Sequence, residues 1–203
     1  MHDLFGSFNH NVVELIVGCQ KECFLNPTSP QALVSKEIFV PFTPVHMGPG
    51  IFIKALLQSS FSLMVFGWTQ IVMDIQPLIV MISGEGHLHG FTHTYVGAVL
   101  IACIAALSGK YLSELGLKIL GMAKERAIHI AWWVAFLSAF IGSFSHVLLD
   151  SIMHTDVEPF YPITLINNFH GFVSMEALHK FCLYSGLVGT AIYYGVSWRV
   201  RKS

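Results

Sequence analysis

Charge is what this sequence has least of. Of its 203 residues only 11% are Asp, Glu, Lys or Arg, against about a quarter in an ordinary soluble domain. The shortfall is concentrated. Residues 55–73, 86–109, 127–149 and 181–198 contain none of the four. A surface wetted on all sides cannot be built from such runs. The net charge of −1 leaves no electrostatic case for a nucleic-acid partner. Cysteine is scarce too, with Cys19, Cys23, Cys103 and Cys182 the four in the chain. The first two are one helical turn apart, not at zinc-knuckle spacing, and the others sit in apolar runs. They read as small buried hydrophobes. The first ten residues offer neither a basic region nor an apolar core, so no secretory signal is expected there and internal helices would direct insertion. The length allows one sizeable core.

What is present is apolar: 54% of the residues are hydrophobic and mean hydropathy is +0.62. The expected class is an all-α, polytopic membrane bundle of about four to five helices, each spanning segment needing about 20 apolar residues. Residues 1–40 read as a peripheral N-terminal extension, with a turn at Asn26-Pro27-Thr28-Ser29-Pro30. Residues 41–203 form the membrane domain. After Gly48-Pro49-Gly50, residues 51–57 are too short to cross and suggest a re-entrant or tilted piece. Spans are expected at 61–83, 91–108, 128–149 and 181–198, with a polar connection at 110–126 and a long loop at 150–180. Lys110, Lys118, Lys124 and Arg126 share a side with Arg199, Arg201 and Lys202. The positive-inside rule makes that side cytoplasmic. The 150–179 loop has acids but no Lys or Arg, and belongs opposite.

Histidine is unexpectedly frequent: 11 residues, equal to Lys plus Arg. On the topology above, His89, His93, His146 and Asp150 all fall at the non-cytoplasmic face. Asp74 lies within the second segment, and His46 joins them if the short helix dips inward. His89-Gly90-Phe91-Thr92-His93 is an HxxxH pair and His146–Asp150 an HxxxD pair. On a helix, residues four apart share a face, so each pair can address one ion. His154 continues that stripe if its helix persists. Imidazole with carboxylate suits a divalent metal, zinc first and manganese or iron next, as one or two ions. Asp74 weighs heavily, because a carboxylate inside a span costs about 2.5–3.5 kcal/mol on insertion scales and needs a partner. His87 reads as a loop residue. His129 lies at the wrong end of its span, and His170 and His179 lack a paired motif. The aromatics Trp68, Trp132, Trp133, Tyr193, Tyr194 and Trp198 read as core or interface anchors.

The ordered set Pro41-Phe42-Thr43-Pro44-Val45-His46, Asp74-Ile75-Gln76-Pro77, His89 to His93, Ser145-His146-Val147-Leu148-Leu149-Asp150 and Pro159-Phe160-Tyr161-Pro162 resembles the bacterial YdjM-like family of predicted membrane-bound metal-dependent hydrolases. The likeness runs from about residue 41 to 190. It implies a distant relation to zinc-dependent phospholipase C and P1-type nucleases, His46, Asp74, His89, His93, His146 and Asp150 as metal ligands, and hydrolysis as the reaction. Gln76 stands where family members often carry a second acid, which argues for one or two ions instead of a larger cluster.

The leading reading is therefore a membrane-bound, metal-dependent hydrolase of a lipid or lipid-linked phosphoester. Whichever of Asp74 and Asp150 is not a tight ligand would be its base. The alternative is a metal-ion or proton transporter, whose sign would be ionisable residues at several depths. A di-iron oxidase would need further His pairs such as HxxHH, which the sequence lacks.

Overall fold

The computed structural model describes residues 46–121 and 129–202. All lie in the second of two compact units, Phe42–Ser203. Readings made on the extension, on residues 41–45 and on Lys124 and Arg126 fall outside the described residues.

The described residues are all-helical, as expected, with no strand among them. The helices are α1 (Met47–Leu57), α2 (Leu63–Met73), α3 (Ile75–Ser83), α4 (Tyr95–Ile119), α5 (Trp132–Met153) and α6 (Met175–Lys202). Their starts follow capping chemistry. The hydroxyl of Ser62 accepts from Val65 N–H and that of Thr94 from Gly97 N–H, each satisfying a donor that the first helical turn leaves open. Gly84, at φ +72°, closes α3 in the left-handed conformation.

α2 and α3 form one rod, Leu63–Ser83, broken at Asp74. Pro77 explains the break. It has no N–H for the carbonyl of Met73 four residues earlier, and its ring crowds that turn. Asp74 thus sits where the helix is interrupted.

Leu63–Ser83, Tyr95–Ile119 and Trp132–Met153 are long and apolar enough to cross a membrane. Their packing is that of a bundle in lipid. On α4, Ala98, Ala102, Ala105 and Ala106 are fully buried, while Leu100, Ile104 and Leu107 are each more than half exposed. Small residues let helix backbones approach, and the large apolar ones face outward, where lipid tails suit them.

Several sequence boundaries need correction. α4 does not stop at 108 but runs through Lys110 and Glu114 to Ile119. The reason is an i,i+4 pair, from the buried Lys110 Nζ to the half-buried Glu114 Oε1 at 2.5 Å, whose carboxylate also accepts from Ile130 N–H at 2.8 Å. Paired and hydrogen-bonded, these charges no longer end the helix. α5 runs to Met153, so Asp150 belongs to a helix, not to a loop. α6 begins at Met175 and is 28 residues long, but its lower hydropathy keeps it outside the three spanning segments. α1 starts before Gly48-Pro49-Gly50, because proline is tolerated in a first turn.

α1 is the short helix foreseen. It packs along α6 in parallel, with Gly48 beside Cys182 and Gly186, and Gly189 beside Phe52. A Cβ on Gly48 would lie 1.9 Å from the Cys182 carbonyl oxygen, whereas one on Gly195, farther along α6, meets nothing within 4 Å. Gly48→Ala should lower the unfolding temperature in detergent, with a cost of about 1–3 kcal/mol from overpacking. Gly195→Ala should raise it by roughly 0.5–1 kcal/mol of helix propensity. Equal behaviour of the two variants would contradict this packing.

Candidate metal centre

Six side chains reach one point from four parts of the fold. α5 contributes His146 and Asp150, one turn apart and both buried. The break in the second rod contributes Asp74. The segment before α4 contributes His89 and His93. His46 sits at the N-terminus of α1. Asp150 is the hub: its Oδ1 lies 3.6 Å from His46 Nε2, and its Oδ2 lies 3.3 Å from His93 Nε2 and 3.1 Å from His146 Nε2. His146 Nε2 is also 3.2 Å from Asp74 Oδ1. The rings of His46 and His93 meet that of His146 edge-on, centroids 5.0 and 5.2 Å away.

Hydrogen bonds behind the rings fix their tautomers. The Gln70 amide donates its Nε2–H to the Gly142 carbonyl at 3.0 Å, so its Oε1 is the atom facing His146 Nδ1 at 2.8 Å. An oxygen only accepts, so Nδ1 carries a proton and Nε2 is the nitrogen turned to Asp74 and Asp150. His93 is set by a longer relay. Thr92 N–H, which can only donate, reaches Gln76 Oε1 at 3.1 Å. The Thr92 hydroxyl donates to that same oxygen at 2.6 Å. Its lone pairs are left to accept from His93 Nδ1 at 3.0 Å, and again Nε2 is the nitrogen turned to the centre.

Buried imidazole nitrogens grouped around two carboxylates call for positive charge at the point where they meet. Nε2 of His46, His93 and His146 are all buried, and none makes a geometrically acceptable hydrogen bond. Protons on these atoms would be expected to show as such bonds to Asp74 and Asp150. A divalent cation needs no such geometry, and the donor set suits one. Four overlapping groups have donor atoms within 4.8 Å of one another: His46, His146 and Asp150; Asp74, His93 and His146; His89, His93 and Asp150; and, less buried, His89, His154 and Asp156.

His46 and His93 are suited to stay neutral. Burial pushes the His46 imidazole down to about 4, against the opposing pull of Asp150, and burial likewise lowers His93.

The HxxxH pair reaches the centre by a different route from the helix expected. His89 lies in a turn and Phe91–His93 is a single 3-10 turn. The chain is extended at Thr94, and Gly90 is pressed against the Gln76 amide so closely that a Cβ there would lie 2.0 Å from its nitrogen. The turn still sets the two rings edge-on at 5.0 Å. The HxxxD pair is helical, as read. The stripe does not continue to His154, because α5 ends at Met153. His154 instead stacks on His89, centroids 4.4 Å apart.

One participant was missed. Asp156 places both carboxylate oxygens 2.9–3.0 Å from His89 Nδ1, orienting that ring from behind as carboxylates do for metal-binding histidines. The His89 hydrogen bond lowers Asp156 to about 2. Its spacing of six from Asp150 gave no helical signal. Gln76, read as a missing acid, proves to anchor the His93 turn. Among the described residues, His87, His129 and His170 are exposed and His179 is half-buried, and none joins a donor group.

A family model for the YdjM inner membrane protein matches residues 49–200. The chain belongs to that family. Membership agrees with the three apolar helices and makes this an integral membrane protein. The matched stretch starts three residues after His46 and includes the other five candidate ligands. No curated protein and no solved structure matches the chain, so the implied kinship with zinc-dependent phospholipase C and P1-type nucleases gains no support.

Gln70→Leu and Thr92→Val each free a histidine tautomer while leaving every candidate ligand in place. Each should weaken divalent-metal affinity by about 10–100-fold, read by titration against a chelator of known affinity. His93→Ala and Asp150→Ala should abolish stoichiometric binding. Full metal content in both alanine variants would refute the centre.

Proposed function

We propose that this chain is a membrane-bound, divalent-metal-dependent hydrolase of a lipid or lipid-linked phosphoester. The observation that carries the reading is the set of three buried, unpartnered Nε2 atoms aimed at Asp150. His46, His89, His93, His146 and Asp150 would hold one or two ions, zinc first and manganese or iron next, with Asp74 the looser of the two carboxylates at the centre. A bound ion would supply Lewis acidity, polarising the phosphoryl oxygen and stabilising charge that builds on it.

The protein groups divide the remaining work. Asp150, engaged by three imidazoles, serves as the shared anionic ligand. Asp74 is the better base, because its carboxylate is the most accessible of the six side chains, at 13%. It takes the proton of the attacking water as the new P–O bond forms. The ester P–O bond breaks, and the leaving oxygen regains a proton. Gln70 and Thr92 hold the histidines in one tautomer throughout.

Transport is the weaker reading. A path needs ionisable groups at several depths. Among the described residues, the buried polar groups of α2 and α5 beyond the centre are Thr69, Gln70, Ser138 and Ser143, none of them ionisable, and the buried face of α4 above Lys110 is alanine.

The test is hydrolysis of phosphoester and phospholipid substrates by purified protein. Activity should vanish with chelator, return with zinc or manganese, and fall to background in His146→Ala and Asp150→Ala. Metal-independent activity, or no activity together with ion uptake by proteoliposomes, would overturn the proposal.

The basic residues further suggest that the centre faces the non-cytoplasmic side. Ile163 is exposed in the loop beside the centre, and the two described cysteines are buried or half-buried. With Cys19 and Cys23 replaced, Ile163→Cys should react with a membrane-impermeant maleimide from outside intact spheroplasts. Labelling only after lysis would reverse the orientation.

A further inference from the structure

We infer that the cavity between the broken rod and α4 receives the acyl chain of a bilayer lipid, and that Asp74 is where this chain's headgroup meets the metal centre. The inference rests on the hydrolase reading for its chemistry and adds the route by which substrate arrives.

The cavity holds about 550 Å³, within the range of small-molecule pockets, about 300–1,000 Å³. Met47, Gly67, Ile71 and Leu112 form its apolar wall, and Gln70 and Asp74 are its polar groups next to the centre. Three features choose a lipid chain as occupant. First, all of the lining but Met47 comes from two membrane-crossing segments, Leu63–Ser83 and Tyr95–Ile119, so the medium beside the cavity is hydrocarbon. Second, the cavity is continuous with the centre through two residues of known geometry. Asp74 contacts His146 at 3.2 Å and Gln70 contacts it at 2.8 Å. Third, the centre is otherwise closed. The side chains of His46, His93, His146 and Asp150 are each at most 5% exposed, leaving Asp74 as the ligand with most accessible surface, and that surface lies on the cavity.

Gly67 keeps the cavity open. A Cβ there would meet only the flexible end of Met47, so a side chain at this position would project into the space. An ester arriving laterally would bring its tails along Ile71 and Leu112 while its phosphate reaches Asp74. Water-soluble esters have no use for such a wall.

The experiment uses the full chain in phosphatidylcholine nanodiscs containing phosphatidylglycerol with a diazirine in one acyl chain. After irradiation, digestion and mass spectrometry, labels should fall on residues 63–74 and 112–113, and excess unlabelled phosphatidylglycerol should compete them away. Ile71→Trp and Leu112→Trp change exposed side chains, so folding is preserved while the indole fills the groove. Each should reduce this labelling about tenfold, the effect of displacing roughly two methylene groups, with metal content unchanged.

Labelling that does not saturate, or that both Trp variants leave intact, would mark ordinary boundary lipid and overturn the inference. Saturable labelling without any hydrolysis would leave the groove standing and remove the hydrolase reading. Hydrolysis of short, soluble phosphoesters and long-chain lipids at equal rates, both unaffected by Ile71→Trp, would do the reverse.

Discussion

The contact of Asp150 with three imidazoles is the constraint on which the bundle depends. A carboxylate buried among helices in a bilayer is tolerated only when its charge is compensated. Asp150 meets this need by gathering His46 from α1, His93 from the turn before α4 and His146 from its own helix. Ends of elements that are distant in sequence are therefore held at one place. With Nδ1 of His93 and His146 engaged behind the rings, their Nε2 atoms turn to Asp150, which leaves a donor set that could hold a divalent cation.

The surrounding fold serves that point through close approach and interruption. Alanines on α4 and glycines on α1 and α6 bring backbones together, giving the centre rigid walls without large side chains. The break before Pro77 displaces Asp74 from a regular helix and directs Gln76 toward the His93 turn. Gln70, one turn before the break, steadies His146. A single kinked rod thus supplies a candidate ligand and both glutamines that orient the histidines. The loop after α5 braces the other side: Pro159 O accepts from Tyr95 N–H at 2.9 Å, and Asn167 Nδ2 donates to the Ser151 and His154 carbonyls.

Charge-free runs told of membrane helices because a hydrocarbon environment leaves a compositional mark on every residue of a span. The HxxxD pair was legible because helical periodicity converts spacing into direction. The HxxxH pair was grouped correctly for a mistaken reason, since its geometry comes from a turn pinned by Gln76. Asp156 was not legible, because it acts through His89, 67 residues away in sequence. Helix ends were misplaced where charges such as Lys110 and Glu114 neutralise each other inside the bundle, a pairing that composition cannot distinguish from a polar loop.

By itself, then, the sequence determined a helical membrane protein with its histidines and aspartates at common helix ends, since hydropathy and alternation of direction are properties of the chain alone. Only the tertiary structure decided which nitrogen of His93 and His146 faces the centre, which carboxylate is shared and which remains accessible. Those depend on hydrogen bonds and packing between elements that sequence spacing does not encode.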